Sequence, residues 1–513
     1  MNVVPHTPVG IFKILRNVPL DSTYTDTLNF SSVSAQQAYF NSKIKYSIND
    51  LGPVKMDNVI RIGRSADDLF DCNYVMFQNT NFGPKWFYAF ITKIEYVNWN
   101  MCYVTIEIDV MQTWMFDYEL KSCFVEREHP NTDNAGDNLV PENLELGEYK
   151  LEEHKKTGLS NQSAIFVAST VDSNGENVVG QMYGHTYSGV QFYSFGTVEE
   201  VNNYLKTITA ANKSDAVVAI FMANPTLFPT GTEPATVDFT IPKNLVQPFD
   251  GYFPRNNKLY TWPYNFLYCT NLQGTTAEFR FEFFDSPTYY PFTIFGNATC
   301  NPTITLAPRG YKGTTGNELN LNEKMTLEGF PQCAYNIDTY KAWLAQNGAA
   351  TAISVLGTAG GIAAGAAGAA ATGGASLALA GAGAIGGVAS IGSTVAKVTA
   401  TSAKPPQAKG SPGGSSLFDY GILDFHFYRC RITGEFAKII DNYFDMFGYQ
   451  TNEVKVPNVT GRPYWNYVKT GECKAVGSIP FTDMDKIKSI YNKGITFWHG
   501  DYVGDYSRDN SPS

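Results

Sequence analysis

Residues 102–115 read CYVTIEIDVMQTWM, and residues 86–97 just before them read WFYAFITKIEYV. In the later run Val104, Ile106, Ile108 and Val110 alternate with Tyr103, Thr105, Glu107 and Asp109. Successive side chains of a strand point to opposite faces. This period of two therefore predicts a strand with one apolar and one polar face. Asn98-Trp99-Asn100 joins the two runs as a hairpin loop. VGIFKILRNV (9–18) and YVMFQN (74–79) have the same β-branched and aromatic character, so the N-terminal part of the chain, up to Pro130, reads as strands.

Residues 130–160 are polar, with Pro130, Asn131, Asp133, Asn134 and Gly136, and read as a linker or long loop. Strand-like runs return at AIFVAST (164–170), VVAIFMAN (217–224), KLYTWPYNFLYCTN (258–271), AEFRFEFF (277–284) and FTIFGN (292–297). One helix interrupts them, with Thr197 and Glu200 at capping-box spacing. Near the C-terminus LDFHFYRCRI (423–432) alternates as a strand. Phe436, Ile439, Ile440, Tyr443, Phe444 and Phe447 then recur on one helical face, which Gly448 ends. A second helix is expected over 483–492, stopped by Gly494. The expected fold class is mainly β with a few helices (α+β).

The 513-residue chain is long enough for several domains, and 14% of it is aromatic. Its formal net charge of −10 argues against a protein that grips nucleic acid, which needs clustered Lys and Arg. An acidic wall suits a conduit along which a duplex slides without sticking. The cysteines at 72, 102, 123, 269, 300, 333, 430 and 473 include no C-x-x-C pair and read as buried free thiols. No basic stretch precedes the apolar run at the N-terminus, so no signal peptide is expected and assembly is expected in the cytoplasm of the producing cell.

One segment is unlike the rest. Between Lys341 and Lys397 there is no Asp, Glu, Lys or Arg, and most positions from Ala349 to Ala396 are Ala or Gly. Thr372-Gly373-Gly374 forms a natural turn between two flanks of equal length, 350–371 and 375–396. A bilayer core needs roughly 20 helical residues per span, so a helical hairpin fits. The flanks are only weakly apolar. Ile353, Val355, Leu356 and Ile362 are the larger side chains of the first; Leu377, Leu379, Ile385, Val388, Ile391 and Val395 are those of the second. At about −0.3 to −0.6 kcal/mol each, the first set gives roughly −1 to −2.5 kcal/mol, which inserts a lone copy poorly. Gly357, Gly361 and Gly365 are spaced four apart, as are Gly383 and Gly387, a spacing that lets helices pack closely in lipid. The segment reads as a conditional inserter that needs company and shelter. Two plainer readings stand beside it: a low-complexity linker, and a small-residue core helix. AKPPQAKGSPGGSS (403–416) follows as a flexible connection.

No catalytic constellation accompanies this segment. Glu126, Glu128 and His129, and Glu152, Glu153 and His154, lack the H-E-x-x-H spacing of a zinc helix, and His426 and His499 stand apart. No G-x-S-x-G, phosphate loop or dinucleotide fingerprint occurs. Neither an enzyme activity nor a cofactor or metal is expected.

YVMFQNTNFGPKWFYAFITKIEYVN (74–98) and VTIEIDVMQTWMFDYELKSCFVEREH (104–129) resemble the tail-knob, or distal tail-tube, proteins of small short-tailed bacteriophages of Gram-positive hosts. FDYG (418–421), FGYQTNEVKVPN (447–458), NYVKTGEC (466–473) and NKGITFWHGDYVGDYS (492–507) resemble that family's closing segment. The Ala/Gly segment sits where the family carries a long hydrophobic loop. The resemblance implies a virion tail protein, a homohexamer forming a tube, in contact with other tail proteins of the collar or tail tip. Viral DNA would pass through without specific binding. The loops would plug the tube and then enter the host cytoplasmic membrane as a channel. The expected organisation is a tube-forming body built from 1–148 and 417–513, a β-rich middle over 149–340, and the loop with its linker over 341–416. The competing reading is a receptor-binding adhesin for cell-wall carbohydrate, which has no need of the Ala/Gly segment.

Overall fold

The computed structural model describes residues 12–48, 58–177, 182–183, 186–187, 190–228, 235–297, 302–328, 330, 332–333 and 424–512. The chain forms two compact units. The first gathers 1–148, 246–264 and 432–513; the second holds 149–245 and 265–431.

The first unit opens with β1 (Phe12–Arg16), β2 (Asp26–Leu28), α1 (Val33–Ser42), β3 (Ile44–Ile48), β4 (Val59–Ile62), β5 (Cys72–Gln78), β6 (Trp86–Asn98), β7 (Met101–Ile108), α2 (Val110–Trp114) and β8 (Tyr118–Glu128). Six strands form an antiparallel sheet in the order β3-β1-β5-β6-β7-β4. The β6–β7 hairpin turns where the sequence placed it, pairing Asn98 with Met101. The run 102–115 does not stay extended to its end. The Asp109 carboxylate accepts from Met111 N at 3.0 Å and Gln112 N at 3.1 Å, capping α2 and ending the strand.

The second unit contains β9 (Tyr149–Lys156), β10 (Ala164–Ser169), β11 (Met182–Tyr183), β12 (Thr186–Tyr187), β13 (Gln191–Phe195), α3 (Val198–Ala210), β14 (Val217–Ala223), β15 (Thr236–Pro242), β16 (Asn265–Thr270), β17 (Thr276–Phe279), β18 (Tyr289–Asn297), β19 (Thr303–Pro308), β20 (Met325–Leu327), β21 (Gln332–Cys333) and β22 (His426–Ile432). They form sheets ordered β13-β10-β14-β21, β15-β18-β19-β20 and β17-β16-β22-β9, with β11–β12 a separate pair. One core, including Phe166, Phe221, Phe279, Phe292 and Phe427, serves the three larger sheets. The expected capping box holds α3: Thr197 and Glu200 bond each other's backbone. Three expectations need correction. The end of the linker 130–160 is strand β9, which no apolar period marks because none of its side chains is buried. Over 258–271 only β16 is extended; a 3-10 turn at Asn257–Tyr260 precedes it, and Pro263 has no N–H for a ladder. Over 277–284, β17 ends at Phe279 and a 3-10 turn follows.

The chain then returns to the first unit with α4 (Gly434–Phe447), β23 (Tyr449–Lys455), β24 (Trp465–Gly477), α5 (Phe481–Lys493) and β25 (Ile495–Trp498). With β2 and β8 these strands make a five-stranded sheet ordered β2-β25-β24-β8-β23, in which only β2 and β25 are parallel. Phe12, Tyr74 and Phe87 from the start of the chain share a core with Trp465, Ile487 and Trp498 from its end. Each such side chain contributes about 1.5–3 kcal/mol on burial, so neither end makes this core alone. On α4 the buried residues are Gly434, Ala437, Ile440, Asp441 and Phe444. Ile439, expected on the apolar face, is 57% exposed. Asp441 takes part of that face instead. Its carboxylate accepts from Tyr252 Oη at 2.5 Å, Arg255 N at 2.7 Å and Asn256 N at 3.0 Å, fastening 246–264 into the first unit.

Candidate membrane-active segment and its anchorage

Every residue expected to insert into membrane, from Ile353 through Val395, and the turn Thr372-Gly373-Gly374, lies outside the described residues. The nearest described residues on either side of it are Cys333 and Asp424. The last strand described before it is β21, where Cys333 pairs with Ile220 and Gln332 with Phe221. The described chain resumes at Asp424, just before β22.

Asp424 is fully buried. Its carboxylate accepts from Thr157 Oγ1 at 3.0 Å, Leu159 N at 2.5 Å and Ser160 Oγ at 2.5 Å. Phe425 N donates to Thr157 Oγ1 at 3.1 Å, and Thr157 N donates to the Phe425 carbonyl at 3.1 Å. A buried carboxyl group with three donors is a strong fixture, because losing those partners would leave a buried polar group unsatisfied, at about 1–3 kcal/mol. β22 then continues between β16 and β9, with Phe425 and Phe427 fully buried. Asp424 is therefore tied to Thr157, Leu159 and Ser160, the residues that follow β9.

The histidines and carboxylates that the sequence flagged have structural partners. Buried His129 accepts from Tyr467 N through Nδ1 at 2.7 Å, which leaves Nε2 to donate to the Asp445 carbonyl at 3.1 Å. This neutral ring is enforced by burial, then by the Arg462 guanidinium, which together push its pKa down to about 3. Glu128 accepts from Asn458 N at 2.8 Å and pairs with Lys455 at 2.6 Å. Glu126 pairs with Lys469 at 2.8 Å, and His499 sits 3.0 Å from Asn466 Oδ1. Among the described residues no group of three or more His, Cys, Asp or Glu could hold a metal ion. Cys72, Cys102, Cys123, Cys269, Cys430 and Cys473 are free and buried.

A family model described as Bacillus phage phi29, tail knob protein gp9, C-terminal domain, matches residues 230–511, more than half of the chain. The chain belongs to this tail-knob family. A second model, Caudoviral major tail protein N-terminus, matches residues 8–119. Tail knob protein gp9 of Bacillus phage B103 is 27% identical over 97% of this chain and 98% of its own length. Gp9 of Bacillus phage phi29 is 25% identical over 99% of this chain and 100% of its own. The tail knob protein gp12 of bacteriophage C1 has the same fold at 16% identity, with a TM-score of 0.60 over 96% of this chain and 97% of that one. The protein is thus a tail-knob component of a short-tailed phage virion.

This tail-knob chain exposes apolar side chains on its first unit. At the β6–β7 tip Tyr96 is 69% and Trp99 80% exposed. On the sheet ending at β23, Val454 is 72% exposed and pairs with half-exposed Phe124. Among the described residues no helix is long and apolar enough to cross a membrane. Two groups escaped the sequence reading. Asp424 resembles any strand-flanking Asp, and its donors lie more than 260 positions away. His154 and His426 meet although 272 positions separate them.

Proposed function

We propose that this tail-knob protein assembles as a homohexameric tube that conducts the genome during ejection, and that residues 349–396 plug the tube before entering the host cytoplasmic membrane. The observation that carries the reading is the uncharged window between Lys341 and Lys397, long enough for two spans. Its weak apolarity explains why it would work in a ring of copies: each arm alone gains little from lipid, whereas packed Gly rows add helix contacts. The anchorage at Asp424 supports a loop that changes environment while its base stays folded. Water-exposed apolar surface is costly, so the loop would be sheltered until lipid is available. The net charge of −10 suits passage of DNA without specific binding. Other tail proteins of the collar or tip would hold the two ends of the tube, and the exposed aromatics of the first unit are surfaces for contacts between copies.

Dye leakage from liposomes, measured with the wild-type protein and with 349–396 deleted, tests the loop's role. Leakage that requires the segment supports the channel. Equal leakage from both proteins removes the segment from membrane entry. An adhesin would keep binding intact host walls after the same deletion, with no leakage from either form.

A further inference from the structure

Strand β9 has no buried side chain along its length and lies at the edge of its sheet. Beyond the main-chain ladder, polar side chains fasten it to β22 and the residues beside it. Glu152 pairs with Arg431, and Glu153 accepts from Arg429 Nε at 3.1 Å. Lys156 Nζ lies 3.8 Å from Asp424. Between these ion pairs His154 Nε2 faces His426 Nδ1 at 2.9 Å.

The two imidazole rings are parallel within 6°, with centroids 5.2 Å apart. That separation is the longest that a 2.9 Å nitrogen contact allows for two five-membered rings, so the nitrogens meet head-on in one plane. A head-on contact needs one N–H and one lone pair, hence one shared proton. The far side of the pair constrains further protonation. His426 Nε2 is buried with no hydrogen-bond partner among the described residues, so a charged His426 would have no acceptor there. Its surroundings are mixed: burial opposes the charge most, Asp424 favours it, and His154 and Lys156 oppose it. His154 is exposed and lies against the Tyr428 ring, with centroids 4.7 Å apart. It can take an added proton on its outer nitrogen and still donate inward.

We propose that His154 and His426 form a proton-counting clasp: β9 stays docked while the facing nitrogens share one proton, and is released when both rings are protonated. One added charge on the pair is tolerated and even strengthens the contact, because an imidazolium donates well to an imidazole. The second sets N–H against N–H and places two cations beside Lys156. β9 has no buried side chain, only its ladder, these ion pairs and the edge-on contact of Tyr149 with Phe266, so repulsion between the two rings loosens a lightly held strand. Its release would uncover the edge of β22, the first strand described after the Ala/Gly segment.

The test is hydrogen exchange of the full chain, read on peptides spanning 149–157 at about pH 7.5 and about pH 5 and corrected for intrinsic rates. The expected result is a loss of β9 protection of roughly tenfold or more at the lower pH in the wild type. His154→Gln, which keeps a side-chain donor at an exposed position but does not titrate, should hold its protection within about twofold. A flat wild-type response overturns the clasp. So does an equal loss in His154→Gln, which would assign the response to the Glu152 and Glu153 ion pairs. Glu152→Gln with Glu153→Gln should keep the wild-type response, and its loss there would likewise transfer the switch to the carboxylates.

Discussion

Lys258 Nζ lies 2.6 Å from Glu142 Oε1, with the two side chains only 2% and 1% exposed. Arg127 reaches the other oxygen of the same carboxylate, and Gln450 N donates to Oε1 at 3.1 Å. One carboxylate thus ties together the three separate stretches of chain that build the first unit. Burial lowers the Lys258 pKa while Glu142 opposes that shift. Removing one partner strands a buried charge. Glu142→Leu should therefore cost about 3–5 kcal/mol, measured by urea unfolding. Lys258→Met should cost a similar amount, and the double variant clearly less than the sum. Strict additivity would show that the pair does not couple the segments.

His129 sets an acid limit on the same unit. Its folded pKa of about 3 lies below the ordinary histidine value near 6.5, so the unfolded chain binds the extra proton first. Stability from this group is intact above pH of about 6.5 and is lost as pH falls toward 3, on the order of 4 kcal/mol. Asp109 works in the opposite direction: burial raises it to about 6, so its contribution falls as pH rises from about 4 to 6. Subtracting a His129→Gln stability curve from the wild-type curve isolates the histidine. The difference should shrink steadily below pH of about 6. A pH-independent difference would mean that the ring does not titrate on unfolding.

Local signals were legible and long-range polar ones were not. Thr197 and Glu200 announce α3 because a capping box is written in adjacent residues. The β6–β7 hairpin is legible because alternation and a polar loop occur together. Asp109 was misread because an alternating polar position and a helix cap look alike until the chain turns. β9 was missed because a strand with no buried face carries no apolar period. Asp441 and Asp424 act through donors 185 to more than 260 positions away, and spacing carries no trace of such pairs. The Ala/Gly segment is the reverse case: composition describes it fully, while its residues lie outside the described structure.

Gly448 follows α4 with φ of +63°, a conformation that side chains rarely adopt. A Cβ there would also collide with the Glu128 carbonyl. Its own carbonyl accepts from Arg127 Nη1 at 2.6 Å, so the backbone cannot shift freely. Gly448→Ala should destabilise the chain by about 2–4 kcal/mol, read as a lowered urea midpoint with an unchanged slope. An effect under about 1 kcal/mol would show that β8 and α4 separate easily at this point.

The insertion reading makes a graded prediction that deletion cannot. Ile362 and Ile385 lie near the middle of the two flanks, 350–371 and 375–396. An Asp at the centre of a membrane span costs roughly 2.5–3.5 kcal/mol, against a gain of about 0.5 kcal/mol for the Ile it replaces. Ile362→Asp or Ile385→Asp alone should therefore cut liposome leakage by several hundredfold, on the order of 3–4 kcal/mol, and the double variant should abolish it. On the proposed reading, in which the loop acts outside the folded body, stability and oligomeric mass should stay unchanged. Ala408→Asp, beyond the second flank, is the control and should leak like wild type. If the double variant also leaks like wild type, the flanks do not enter the hydrocarbon core. The segment would then act as a passive plug, with leakage arising from the exposed aromatics of the folded units.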